Sequence, residues 1–184
     1  NAYIIPDANF MADLRELGSR GVKIRILTNS LASHDVPAVN SHYENWRESI
    51  LATGPHLFEL RPDAKMRREV AEIAPLQAEF VGLHAKGMVI DRQRSFIGSM
   101  NLDPRSEILN SEMGVIIDSA SLSEKLAERM LQDMNGLNSW QVVQTAPGQL
   151  TWRSQDGELT QQPARNLMQR LENFIFKIFP KDLY

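Results

Sequence analysis

From Asn1 to Leu60 the apolar positions switch repeatedly between a period of two and a helical period. Tyr3-Ile4-Ile5 before Pro6 is a short apolar run that predicts a strand. From Asp7 onward Phe10, Leu14 and Leu17 fall at helical spacing until Gly18 and Gly21. Val22, Ile24 and Ile26 then alternate with Lys23 and Arg25, and this second strand stops at the polar Thr28-Asn29-Ser30. Pro37 opens a second helix, with Val39, Tyr43, Trp46 and Ile50 on one stripe, which ends at Gly54-Pro55 before a strand over His56 to Leu60. Strands alternating with helices imply parallel βαβ units, in which ligands bind beyond the carboxyl ends of the strands. Asn29, Ser30 and Arg61-Pro62 would lie on that rim.

The later pattern is more broken. Asp63 to Pro75 is charged (Lys65, Arg67, Arg68, Glu69, Glu72) and fits either a solvated loop or a loop over the site facing anionic headgroups. From His84 to Ile90 apolar Met88 and Ile90 alternate with Gly87 and Val89. Asp91-Arg92-Gln93-Arg94 then reads as a tight connection into a strand over Ser95 to Gly98. Met113 to Ile117 predicts a buried strand. Ser121 and Glu124 form a capping box for a helix carrying Leu122, Leu126, Met130 and Met134 as far as Asn135-Gly136. Gln141–Gln144, Leu150–Arg153 and Glu158–Thr160 read as short strands that extend the sheet or form a small meander. Pro163 starts a final helix with Leu167, Leu171, Phe174, Ile175 and Ile178 on one face, widened by Phe176 and Phe179. That face fits docking on the rest of the protein or, beside Lys177 and Lys181, resting on a bilayer.

Composition narrows the classes. With 184 residues and 42% hydrophobic content, one sizeable domain is expected. The net charge of -3 argues against a nucleic-acid binder that relies on a basic surface. The absence of cysteine excludes disulfides and thiolate metal sites, and no apolar run approaches the roughly 20 residues of a membrane span. The chain opens on Asn1 in what reads as a strand already under way, so a piece of a longer protein is expected.

The chemistry concentrates between His84 and Asn101. In extended chain His84 and Lys86 project to one face, and the hairpin would return Ser99 and Asn101 near His84. An imidazole, an ammonium and an amide at one point suit a tetrahedral phosphate. The cation neutralises charge, the amide donates to a phosphoryl oxygen, and the imidazole attacks phosphorus or moves a proton near neutral pH. His34, His42 and His56 are scattered without metal-ligand pairing and read as surface residues, with a minor substrate contact open to His34 on the rim.

His84-x-Lys86, Asp91 after four residues, and Gly98-Ser99-x-Asn101 after six more make up the full motif of the phospholipase D superfamily, which this chain therefore resembles. Glu112 stands where that superfamily has an acid hydrogen-bonded to the motif histidine. Ile26 to Ser33, Asp35 to Val39, Glu59 to Pro62 and Asn101 to Ser106 are similar to the C-terminal half of bacterial cardiolipin synthase-like enzymes, over nearly the whole chain.

The resemblance implies an α/β fold, a mixed sheet flanked by helices, forming one half of a two-motif pseudo-twofold enzyme. Residues 1–184 would be one catalytic half-domain, with 141–184 packed on it as C-terminal strands and helix. It implies phosphatidyl transfer between phospholipids to make cardiolipin through a covalent phosphohistidine, without metal or cofactor. A hydrolase releasing phosphatidic acid, a single-motif homodimeric nuclease and an inactive half-domain are the alternatives. His84 would be the acid/base, oriented by Glu112, with Lys86 and Asn101 stabilising charge on phosphorus. Asp91 would accept hydrogen bonds that hold the hairpin, and Ser99 would be a hydroxyl at the site. Asn29 and Ser30 would touch substrate, while Arg105 would meet a headgroup phosphate or pair with Glu107. The implied partners are phospholipids, the enzyme's N-terminal half with a second motif or a second copy, and the cytoplasmic face of the bacterial inner membrane, contacted peripherally.

Overall fold

In a computed structural model of the chain, which describes residues 1–70, 75 and 79–177, the elements follow in chain order. They are α1 (Ala8–Ser19), β1 (Arg25–Asn29), α2 (Pro37–Tyr43), a 3-10 turn over Glu44–Trp46, α3 (Arg47–Ala52), β2 (His56–Leu60), α4 (Arg67–Val70) and the hairpin strands β3 (Lys86–Ile90) and β4 (Arg94–Gly98). After these come α5 (Pro104–Ile108), β5 (Gly114–Asp118), α6 (Ala120–Asp133), β6 (Ser139–Ala146), β7 (Gln149–Ser154), β8 (Gly157–Leu159) and α7 (Leu167–Phe176). Two sheets result, a mixed one ordered β1-β2-β6-β7-β8 and a smaller one ordered β3-β4-β5. Among the strands of the described residues only β1 and β2 pair in parallel, with the α2–α3 connection between them. The meander β6–β8 extends this sheet, with β6 antiparallel to β2.

Local rules account for most boundaries. Asp7 caps α1 by accepting from the Phe10 N–H at 2.7 Å, and Met11 and Leu14 face the core. Ser119, two residues before the expected capping serine, caps α6 instead. The second helix is interrupted by the 3-10 turn, yet Tyr43 and Ile50 are buried as the stripe predicts. The main core gathers Ile4, Met11, Ile26, Ile50, Leu57, Trp140, Val142 and Trp152.

Inside that core lies a charge. Glu59 is fully buried, and its carboxylate accepts from Arg47 Nε at 2.6 Å, Tyr43 Oη at 3.0 Å and Trp152 Nε1 at 2.8 Å. Four elements (α2, α3, β2 and β7) are fixed by one anion. A buried carboxylate is tolerable only when its partners satisfy it in this way.

Three expectations are corrected. Tyr3 to Pro6 is no strand but a link with one parallel bridge, Ile4 to Leu102. Its backbone is divided between the Thr28 and Asn29 side chains, which donate to Ala2 O, and Leu102. β5 is not buried: Val115 and Ile116 are 52% and 68% exposed. It is an edge strand, and α6 turns the small Ser123 and Ala127 inward rather than Leu122. Directly paired residues share a face, so Met88, Phe96 and Ile116 form an outward apolar row across the sheet. The third correction concerns α7, which docks by its polar side. Gln169 donates to Leu31 O at 2.6 Å, and the Asn173 carboxamide accepts from Asn40 Nδ2 and donates to Glu44. Leu167, Leu171, Phe174 and Ile175 point outward. Glu72, Ile178, Phe179 and Lys181, named in the sequence reading, lie outside the described residues.

Glu59→Ala removes the carboxylate that the buried Arg47 guanidinium meets at 2.6 Å and leaves it Glu44, at 3.9 Å, and a loss of about 3–5 kcal/mol in unfolding free energy is expected. Urea titration of the two proteins checks this, and a loss below about 1 kcal/mol contradicts it.

Candidate active site

The β3–β4 hairpin has a closed end and an open end. At the closed end Asp91 and Arg92 take φ of 50° and 56°, a left-handed conformation that Asp tolerates better than most residues. The Asp91 side chain makes no hydrogen bond among the described residues, so the expected bracing bonds are replaced by this turn conformation. Five strand residues place Asp91 roughly 16 Å from Lys86, and His84 lies two residues further along.

The open end holds the chemistry. Lys86 pairs across to Gly98, and Gly98 to Gly114. The Phe96 ring lies over both glycines, where a Cβ on Gly98 would stand 2.8 Å from it and one on Gly114 2.3 Å. The motif glycine is thus a steric requirement. Past it, Ser99 N–H donates to Met113 O at 2.8 Å, and the Met113 N–H donates to Ser99 Oγ at 3.0 Å. The Ser99 hydroxyl donates in turn to Glu112.

Glu112 does not reach the histidine. Its carboxylate accepts from Ser99 and, at 3.2 Å, from Asn110, and these donors, Ser99 first, hold it below the usual carboxylate range. The expected Glu112–His84 bond is absent, and the acid braces the GSxN segment instead.

His84 lies two residues before β3 and is exposed. Its backbone is fixed from the residue before it. Asn29 donates from Nδ2 to Leu83 O at 2.8 Å and accepts the Leu83 N–H at Oδ1 at 2.7 Å. Lys86 folds back so that Nζ donates to His84 O at 2.9 Å. Lys86 is 8% exposed. Burial pulls its ammonium below the ordinary lysine range, and the carboxylates of Glu112, Asp35 and Asp103 counteract this. Asn101 follows with its Oδ1 buried and without a partner among the described residues. Asp103 caps α5 by accepting the Ser106 N–H at 2.7 Å.

Asn29 and Ser30, expected to touch substrate, are 1% and 0% exposed and spend their polar atoms on the protein. Ser30 Oγ donates to Leu60 O at 2.7 Å. Both are scaffold at the end of β1. Arg105 is exposed and forms no pair with Glu107 among the described residues. His34 and His42, expected at the surface, are buried, while His56 is exposed with its ring against Gln141.

Sequence reading missed Tyr3. Its ring meets His84 edge-on, with centroids 6.3 Å apart and planes at 80°, and stacks on His34 at 5.1 Å and 13°. Its hydroxyl donates to Asp35 at 2.9 Å. Inside an apolar run it carried no local mark, since both neighbours come from distant chain.

At the open end of the hairpin an exposed imidazole thus stands beside a nearly buried ammonium, with the Asn101 amide oxygen left open. The chain belongs to the cardiolipin synthase, phospholipase D-like domain family, whose model matches residues 1–134. It is 34% identical over 184 residues to cardiolipin synthase C of Escherichia coli K12, covering 98% of this chain and 39% of that protein. The chain therefore spans about two-fifths of that relative's length. Two solved structures share the fold. Nuc of Salmonella typhimurium, a phospholipase D family member, aligns with TM-score 0.53 and 22% identity over 74% of this chain and 76% of its own. Phosphatidylserine synthase of Haemophilus influenzae Rd KW20 aligns with TM-score 0.51 and 14% identity over 77% of this chain and 32% of its own.

The His34 ring gives a pH prediction. Its Nδ1 accepts the Val36 N–H at 3.1 Å, and burial pushes its pKa down to about 4. The unfolded chain, with histidine near 6.5, binds the proton first, so stability is fully present above about pH 6.5 and falls as the pH drops toward 4. Between pH 7 and pH 4 the wild type should lose up to about 3 kcal/mol more than His34→Gln in urea unfolding. Equal losses would contradict the assignment.

Proposed function

We propose that the parent enzyme transfers a phosphatidyl group from one phospholipid to the hydroxyl of another, giving cardiolipin, and that His84 is its acid/base. The observation that carries this reading is the gathering of His84, Lys86 and Asn101 at the open end of one hairpin with a single exposed imidazole. Double displacement at phosphorus uses two imidazoles. A histidine from a second motif, on the N-terminal half of the parent or on a second copy, attacks phosphorus. The N–P bond forms, the P–O bond to the first alcohol breaks, and His84 gives that oxygen its proton. His84 then takes the proton of the incoming hydroxyl, whose oxygen displaces the nucleophilic histidine. Lys86 offsets the charge on the phosphoryl oxygens throughout.

Two surfaces support the wider reading. Met88, Ile116 and Met113 lie exposed on and beside the motif sheet, and Ile108 and Leu109 follow at 74% and 77% exposure, an apolar area suited to the second half. On α7 the outward apolar residues, beginning with Leu167 at 83% exposure, are flanked by Arg170, while Lys177 pairs with Glu44 at 2.5 Å, and this apolar face suits contact with a bilayer. Among the described residues no helix is long and apolar enough to cross a membrane.

The test is lipid mass spectrometry of cells lacking other cardiolipin synthases and expressing the full parent reading frame. Cardiolipin is expected with His84 and a fall of at least a thousandfold with His84→Ala, on the order of what removing an essential acid/base costs. Substantial cardiolipin from His84→Ala overturns the assignment, and phosphatidic acid in place of cardiolipin makes the enzyme a hydrolase.

A further inference from the structure

We infer that Tyr3 is the positioning residue of the His84 imidazole, held to that task by His34 and Asp35; the inference rests on the reading of His84 as the reacting group. Among the described residues the His84 ring makes no hydrogen bond, and its ring contact is with Tyr3, edge to face at 6.3 Å and 80°. The backbone at Leu83 is clamped by Asn29, so the base of the side chain is fixed and the Tyr3 ring bears on the imidazole beyond it. An acid/base must hold its nitrogen at hydrogen-bond distance from a moving oxygen, so an unrestrained ring loses rate in proportion to the misaligned fraction.

Tyr3 has the rigidity this requires. Its carbonyl accepts the Leu102 N–H at 3.2 Å, and the Ile5 N–H donates to Leu102 O at 2.7 Å, which ties the segment to the chain directly after Asn101. One face of the ring lies on His34, a buried imidazole fixed at Nδ1 by the Val36 N–H. The phenol is anchored on Asp35 at 2.9 Å, and burial, together with that hydrogen bond, raises its pKa and keeps it a neutral donor. Lys86 Nζ stands 5.9 Å from the same ring's centroid, so a single aromatic ring registers both motif side chains. The phenol spends its proton on Asp35 and takes no part in proton transfer to substrate.

The experiment uses the full-length parent with Tyr3→Phe, Tyr3→Leu and Asp35→Asn, reading kcat and KM separately and the His84 imidazole by NMR of histidine-labelled enzyme. Tyr3→Leu is expected to lower kcat roughly tenfold at nearly unchanged KM, the scale of an edge-to-face aromatic contact. Its His84 Cε1–H signal should lose the ring-current displacement that the Tyr3 ring is expected to give it in the wild type. Tyr3→Phe keeps the ring and should restore most of kcat and the displaced signal. If Tyr3→Leu fails to fold, Asp35→Asn, which alters an exposed side chain, should lower kcat about threefold and move the His84 signal in the same direction. An unchanged His84 signal and kcat in Tyr3→Leu or, where that does not fold, in Asp35→Asn overturns the inference, as does a rise confined to KM. An active His84→Ala enzyme overturns the reading of His84 itself. An inactive His84→Ala beside an unaffected Tyr3→Leu overturns only the positioning role.

Discussion

Three segments remote in sequence meet on the carboxamide of Asn29. It closes a two-way hydrogen-bond pair with the backbone of Leu83 and donates as well to Ala2 O, at the carboxyl end of β1. The motif sheet shares no strand pairing with the five-stranded sheet, so side-chain bonds of this kind bring the two together. Without that carboxamide the Leu83 N–H and carbonyl would lose their partner, each costing about 1–3 kcal/mol if left buried. The approach to His84 would then be held by the Val81 N–H bond to Pro62 O and by the hairpin.

The other half of the site depends on sterics. Gly98 and Gly114 stand side by side under the Phe96 ring, and the ring's position leaves no room for a Cβ on either. That close packing fixes the path of the chain from β4 into Ser99, where the Met113 backbone and Glu112 take over. A polar clamp on one side and a glycine pair on the other therefore deliver His84 and Asn101 to the same end of the hairpin.

The periodicity of the sequence was enough to place β2, the hairpin, α1 and the meander, because each depends on neighbours a few residues apart. It could not say which way a face looks. Leu167, Leu171, Phe174 and Ile175 do share a face of α7, but the helix is pinned by Gln169 and Asn173 on the opposite side, so the apolar stripe is outside. β5 carries strand-like residues and is still exposed, because exposure is set by its edge position and by the small side chains α6 presents. Asn29, Ser30 and Glu112 were legible as residues of the site's neighbourhood. Their partners were not, since a carboxamide or carboxylate bonds equally well to substrate or to backbone. Tyr3 was hidden for the opposite reason: its phenol and ring partners are supplied by Asp35 and His34, far along the chain.

Burying Lys86 would seem self-defeating for a group meant to meet a phosphate, since desolvation works against its charge. The arrangement of carboxylates resolves this. Glu112, Asp35 and Asp103 favour the ammonium through space, but each is engaged elsewhere: Glu112 with Ser99, Asp35 with the Tyr3 phenol, Asp103 with the amino end of α5. Among the described residues Nζ donates to a neutral carbonyl, His84 O, and forms no ion pair. A direct carboxylate partner would compete with the phosphate and would have to be displaced; distant ones preserve the charge and leave it available. The same carboxylates hold Ser99, Tyr3 and the start of α5, so the electrostatic support of Lys86 and the placement of its neighbours are one arrangement.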